Sequence, residues 1–383
     1  MSRAGASWQS PLGGPANDRT SALPLTAEGE VRWRVAIPYD DVAGISVTAD
    51  GACFVSAAEG VTALDGPVVR WSVDTSVIWS PLLLGDGLLV TGEADDLTVR
   101  EQRTGRLVNT IEVSRLRSDP VALSNGLLAY LTSRGSRILL RATTVTGQWA
   151  WEHELRGWSL GRPLVQADQV IVADGASLRA FSADGVPMWT IDLGPLEEQS
   201  GDVGVEGPLI GLPDGGVLAA FRTPRTAGYA LADTTAGTVA ALPIQLPPKQ
   251  LAVPLPDHDL RQDLLVAPGW PRRDTFGRFF PMVVVVDLVT GDKLIERVVP
   301  RTADSMAAGS TGVVAVAGSP TPEHWSRHHR PGFDLTNDCY VLFLDKTRVR
   351  GEWKPGKPVS GPLAVGSDGD LLVPVSGELV SLE

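Results

Sequence analysis

The chain of 383 residues has only two cysteines, four tyrosines, four methionines and five histidines. It has no run of about 18 apolar residues, the length a membrane-spanning helix needs. Cys53 and Cys339 each lie in an apolar, strand-like run and read as small buried hydrophobes, not as a disulfide framework. The first 21 residues show no apolar run behind Arg3 and no cysteine to take a lipid, so the expectation is a cytoplasmic protein without secretory signal or lipoprotein anchor. With a formal charge of −12, the chain is expected to bind neither nucleic acid nor anionic membrane, because both require cations that displace counterions. No P-loop, G-x-S-x-G elbow or Cys–His pair for nucleophilic catalysis is present, and Ser310 in its Gly-Ser-Thr-Gly run lacks an identifiable base.

What is abundant is turn chemistry, with 41 glycines and 29 prolines spread along the chain. A chain this long exceeds the size of one compact core, so it holds either several domains or a repeat. A repeat is present: a Pro-led apolar run, a turn, a β-branched run, a second turn, an amphipathic strand, then a Gly turn and a strand carrying Trp. The clearest copy runs from Arg162 to Gly194, with others starting at Gly44, Ser80 and Asp119. First-hairpin turns fall at Asp50-Gly51, Asp86-Gly87, Asn125-Gly126, Ala167-Asp168, Asp214-Gly215, Gln262-Asp263, Thr311-Gly312 and Asp368-Gly369, spaced 36 to 57 residues apart. Asp-Gly and Asn-Gly between apolar runs are strong hairpin signals, because type I′ turns need positive φ at both central positions. Eight such units predict an all-β, eight-bladed β-propeller of four-stranded antiparallel blades, forming a single domain over 1–383 and acting as a monomer. The eighth unit has three strands, while the chain begins with an orphan strand around Trp33. After an N-terminal extension over 1–30, that strand is expected to complete the last blade and close the ring.

The pattern of Gly turn, Trp strand and Pro-led apolar run, as in TGQWAWEHEL and DGVPMWTIDLG, resembles the tryptophan-docking repeat of the pyrroloquinoline quinone propeller superfamily. Trp33, Trp71, Trp151 and Trp189 match its docking position best, and Trp71, Trp151, Trp189 and Trp353 are expected to fill seams between blades. The likeness covers nearly the whole chain, strongly in the first four blades and the last, weakly in the fifth to seventh. Within that superfamily the quinone dehydrogenases stack their cofactor against vicinal disulfide-linked cysteines and hold calcium with Glu and Asn. Cys53 and Cys339 are not adjacent and no calcium set matches, so neither pyrroloquinoline quinone nor calcium is expected. A related outer-membrane assembly lipoprotein carries the repeat without cofactor, so the repeat alone implies no chemistry.

A site is expected on the face shared by the connections between second and third strands and those between blades. Two of the former are long, 268–281 in the sixth blade and 318–338 in the seventh, and both are rich in Trp, Phe, Arg or His. Trp79, Trp158, Trp270 and Trp325 fall in connections and are candidates for an exposed binding surface. The mouth of the ring should be lined by Trp79, Asp119, Arg162, Glu206, Asp304 and Ser360, with Arg117, His258 and Asp263 nearby; such a mixture suits a polar ligand, or solvated strand ends. His324 and His328, four apart, are candidate ligands for a divalent metal, with Glu323 or Asp334 to complete the set. The expected function is non-catalytic binding of a protein partner or small polar ligand on the loop-rich face. The alternative is an enzyme of a specialised bacterial pathway, a cyclase, lyase or hydrolase working at the funnel mouth.

Overall fold

The computed structural model describes residues 6–8, 21, 23–93, 95–156, 161–194, 204–205, 209–212, 214–222, 227–242, 253–255, 264–273, 279–300, 303, 305–319 and 339–383. Its strands form eight antiparallel sheets, each made of consecutive strands apart from the sheet that joins the two ends of the chain and the one that takes up an extra N-terminal strand. These are the eight blades of a β-propeller. None of its described residues forms a helix long and apolar enough to cross a membrane.

Why consecutive strands pair is local. In blade four, Gln169–Asp174 pairs back on Leu164–Gln166 through Ala167 and Asp168, whose φ values of 47° and 61° make the type I′ turn without a glycine. The middle strands of each blade lie between two neighbouring sheets, so both of their faces are buried. Their sequences accordingly run nearly continuously apolar, as in Ala52–Ala57 and Tyr340–Leu344, every residue of which is buried. Outer strands meet solvent along one face and alternate, as in Val31–Ala36. Seven outer strands also share a β-bulge just before the docking position, at Val31/Trp33, Leu64/Ala63 opposite Trp71, Leu107/Asn109, and the equivalent points of blades three, four, six and seven. The extra residue bends the strand and increases its twist.

The core lies in the seams between blades. One cluster joins blades three and four through Leu131, Leu140, Val170 and Phe181, another joins four and five through Ile171, Ala180, Val217 and Ala230, and a third joins six and seven. The largest spans blades seven, eight and one, and includes Leu25, Ala27, Ile37 and Tyr39 from the N-terminal segment.

Closure follows the expectation. Val31–Ala36 pairs with Glu378–Leu382, with Trp33 opposite Ser381 and Val35 opposite Leu379, so the first and last segments of the chain share blade eight. The stretch read as a simple N-terminal extension does more than lead into that strand. Ala6–Trp8 adds a fifth strand to the inner edge of blade one, Ala6 facing Thr48. The segment before Val31 then hooks onto the hairpin turns of blades seven and eight. Ser21 N–H donates to the Ala308 carbonyl (2.8 Å), Ser310 N–H to the Leu23 carbonyl (2.9 Å), and Thr26 N–H to the Gly369 carbonyl (2.9 Å). Leu25 is 1% exposed. Gly309 is required there, since a Cβ would overlap the Leu25 backbone nitrogen. Blade five departs from the simple pattern as well, its second strand pairing with two short pieces, Gly204–Val205 and Ile210–Gly211.

Candidate ligand-binding face

In an antiparallel four-stranded blade, the connection between second and third strands and the crossover to the next blade emerge at the same end. In blades one, three and four the former are two-residue turns, closed by the pairs Ala57↔Gly60, Arg134↔Arg137 and Asp174↔Ser177. Blade six differs. Its second strand, Leu264–Arg273, and third strand, Phe279–Asp287, continue into the segment expected to be a loop, so most of 268–281 is a β-hairpin. The ladder reaches Gly269↔Met282, and Val299 N–H still donates to the Pro281 carbonyl (2.9 Å); beyond a bulge, the two described strands pair with each other, Arg272 opposite Phe280 and Arg273 opposite Phe279. Trp270 lies on this strand. The seventh-blade insertion beyond Ser319, with His324, Trp325 and His328, lies outside the described residues, as do Trp158, Glu206, His258, Asp263 and Asp304.

The remaining expected mouth residues are Trp79, Arg117, Asp119, Arg162 and Ser360, and each is engaged between or within blades. The residue before an inner-strand proline reaches its neighbours in the ring. Ser80 Oγ donates to the Ala43 carbonyl of blade one (3.2 Å), and Ser80 N–H donates to Asp119 Oδ1 of blade three (2.7 Å). Arg162, from blade four and 5% exposed, acts electrostatically on the same carboxylate. Burial raises the Asp119 carboxyl above the usual carboxylate range, against the pull of Arg162 and the Ser80 N–H, which favour its charged form. Burial likewise lowers Arg162 to about 10, while Asp119 opposes that shift. Further round the ring, Leu363 N–H donates to Ser305 Oγ (2.7 Å) and Val42 N–H to the Ser360 carbonyl (2.6 Å). Arg117 Nε donates to Ser133 Oγ (2.9 Å), inside blade three.

Trp79, expected on an exposed surface, is instead half-buried against Leu82, Val90 and Leu116, and a Cβ on Gly92 would meet its ring at 2.7 Å. Pattern alone could not show this, because Trp79 sits in a connection and only the folded ring brings Gly92 beneath it. The tryptophans of the outer strands behave as core. Trp71 Nε1 donates to the Gln102 carbonyl of the next blade (2.9 Å) and Trp151 Nε1 to that of Ala183 (2.9 Å). Gly105 and Gly185 let these rings approach: both have positive φ, and a Cβ would lie 2.8 and 2.5 Å from the respective indoles. Trp189 departs from this geometry by donating to Gln169 Oε1 of its own blade (2.7 Å). Trp353 is 9% exposed in the seam around blade eight.

The two cysteines do not form the vicinal pair of the quinone dehydrogenases. Cys53 and Cys339 are both buried free thiols on different blades, and burial raises the Cys53 thiol well above its ordinary range. No group of three or more His, Cys, Asp or Glu able to hold a metal occurs among the described residues.

Comparison with known proteins agrees with this architecture. A family model described as outer membrane protein assembly factor BamB matches residues 101–244. No curated protein matches the chain. The crystal structure of BamB from Moraxella catarrhalis superposes with a TM-score of 0.63 at 15% identity, covering 92% of this chain and 97% of that one. A europium-containing methanol dehydrogenase superposes with a TM-score of 0.64 at 12% identity, covering 97% of this chain and 89% of that one. The chain is thus similar to the BamB family model over residues 101–244, and its ring of eight blades shares the fold of these two proteins.

Proposed function

We propose that the chain is a non-catalytic interaction propeller that engages a partner protein on the face where blades six and seven extend their connections. The observation that carries this reading is the blade-six hairpin, whose two strands run on past the four-stranded ladder while blades one, three and four turn back in two residues. Among the described residues the ends of this ribbon pair only with each other; such a two-stranded piece is of marginal stability by itself, and a fold that retains one on a rigid ring is suited to presenting it to something else. The mouth supports the same reading. Asp119 and Arg162, the described pair with the chemistry for acid–base work, are committed to the seams between blades two, three and four. The likeness to BamB, an outer membrane protein assembly factor, is consistent with a scaffold.

The test is to replace residues 270–281 by Asn-Gly, joining the paired Gly269 and Met282 through a two-residue turn, and to cross-link the full-length tagged protein in its source cells. The expected result is loss of the cross-linked partner with a melting temperature within a few degrees of the parent. Unchanged cross-links would refute the reading.

A further inference from the structure

At the end where its second-to-third-strand turn and its crossovers emerge, blade three carries a row of arginines in a chain of net charge −12. Four neighbouring backbone segments meet there, from the mouth outward: the crossover from blade two, then Leu128–Arg134, Arg137–Thr143 and Trp149–Leu155. The crossover runs beside Leu128–Arg134 through the Leu116↔Thr132 bridge. Arg117 N–H donates to the Leu131 carbonyl (2.8 Å) and Ser133 N–H to the Arg115 carbonyl (3.1 Å). Each segment brings an exposed arginine to this end, namely Arg115, Arg134, Arg137 and Arg156. Arg134 stands directly opposite Arg137 across the turn, and Arg156 follows Leu155, which pairs with Ile138. With neighbouring segments about 4.8 Å apart, the row spans about 14 Å. Alternation aims three of the four one way. Leu131, Ile138, Leu140 and Leu155 pack toward blade four, so Arg134, Arg137 and Arg156 fall on the opposite side, the one that Leu128 and Tyr130 turn toward blade two.

The row works against the fold. Like charges directly opposite each other on paired strands are destabilising. Among the described residues its one side-chain ion pair joins Arg137 Nη1 to Glu154 Oε2 (3.2 Å), with side chains 68% and 55% exposed, and a pair so exposed contributes little. Blade two presents the opposite charge beside it. Glu93, Asp95, Asp96 and Glu112 meet at the same end, where burial and then the charges of Glu93, Glu112 and Asp95 raise the Asp96 carboxyl. Asp95 Oδ1 accepts from Arg115 N–H (3.1 Å), which fixes this acidic corner against the inner end of the row.

We propose that the row docks an acidic segment of a partner protein, laid in extended form across the end of blade three. Guanidinium pairs with carboxylate in a bidentate geometry. Carboxylates at alternate positions of an extended chain recur about every 6.6 Å, so three of them match the span of the row. The acidic corner selects this occupant over larger polyanions. A lipid surface or a nucleic-acid duplex carries negative charge far beyond the width of one blade, and would press it against the carboxylates of blade two. This docking goes beyond the proposed function, because it stands on blade three and needs nothing from the blade-six ribbon.

The test measures fluorescence anisotropy of a labelled Glu-Thr repeat peptide of ten residues, titrated with the full chain at low salt. The matching Gln-Thr peptide, phosphatidylglycerol vesicles and duplex DNA are run as separate arms. The variant Arg134→Gln/Arg137→Gln is compared with Arg70→Gln/Arg103→Gln, an equal charge change at two exposed positions elsewhere. The expected result is saturable binding of the acidic peptide alone, weakened at least tenfold by the row variant, less than twofold by the control, and progressively by salt. The row variant should melt no lower than the parent, since it removes a like-charge pair. Equal losses in both variants, no loss in the row variant, or row-dependent capture of vesicles or DNA in place of the peptide would overturn the proposal. If the row variant does melt lower, Arg115→Gln/Arg156→Gln, which leaves the hairpin intact, is judged by the same criteria. The Asn-Gly replacement of 270–281 should bind the peptide like the parent; loss of the peptide there would tie binding to blade six and overturn its assignment to the row.

Discussion

The seams are decided residue by residue, and their clearest unit is an indole lying on a glycine of the next blade. Trp151 meets Gly185 in this way, and the contact leaves no room for a Cβ. Trp151→Ala should cost about 2–4 kcal/mol, in the range of large-to-small substitutions, read as a shift in the urea midpoint. Gly185→Ala should cost more than Gly135→Ala. Both glycines have positive φ, but a methyl added at Gly135 would meet nothing within 4 Å, so its substitution carries only the backbone penalty of about 1 kcal/mol. Equal losses at the two sites would show that the ring contact does not matter. Asp370 is 7% exposed and accepts a hydrogen bond from Ser381, and burial raises its carboxyl above the ordinary value of 3.8. A folded-state value above the unfolded one means that the native protein holds its proton to higher pH. The stability contributed is present below the unfolded value and is lost as pH rises through the folded one. Asp370→Asn should therefore lose less stability than the parent between pH 4 and 7, as measured by urea denaturation across that range. Docking indoles were legible in the sequence because Trp33, Trp71, Trp151 and Trp189 each follow a turn glycine by four or five residues. The seam roles of Trp79, Ser80 and Asp119 were not, because their partners are brought to them only by the folded ring, 13 residues away for Trp79 with Gly92 and 39 for Ser80 with Asp119.

At the scale of elements, the strand Val31–Ala36 was readable as the missing fourth strand of blade eight by counting, and the structure pairs it there. The preceding hook was not readable. Its hydrogen bonds to Ala308, Ser310 and Gly369 depend on which turns the ring brings to one side, and its composition lacks periodicity. Leu25→Ala should cost about 2–4 kcal/mol, because Leu25 is sealed in the cluster that joins blades seven, eight and one. Deleting residues 1–36 should leave the outer edge of Glu378–Leu382 unpaired and greatly reduce soluble yield. A truncated protein that melts like the full chain would defeat closure by this strand. The blade-six connection stands out in the sequence by its length but reads as a loop, because prolines at 268, 271 and 281 mask its strand character. Pro271 is tolerated there because it falls in the bulge between Gly269 and Arg272.

On the scale of the whole molecule, the ring distributes its core into seams, where Ser80, Asp119 and Arg162 join blades, and the proposed function puts the chemistry available to a partner on what projects beyond the ladder. That division of labour calls for a direct comparison of two variants of the full chain. Arg162→Leu removes a guanidinium buried between blades; the Asn-Gly replacement of 270–281 removes only the projecting ribbon. The decisive measurement is quantitative cross-linking of the partner, normalised to folded protein by a melting curve on the same preparation. Arg162→Leu should lower the melting temperature while the folded fraction still cross-links, and the ribbon replacement should keep the melting temperature and lose the cross-link. Loss of the cross-link in Arg162→Leu at unchanged melting temperature, with the ribbon dispensable, would place the site in the mouth and contradict this division.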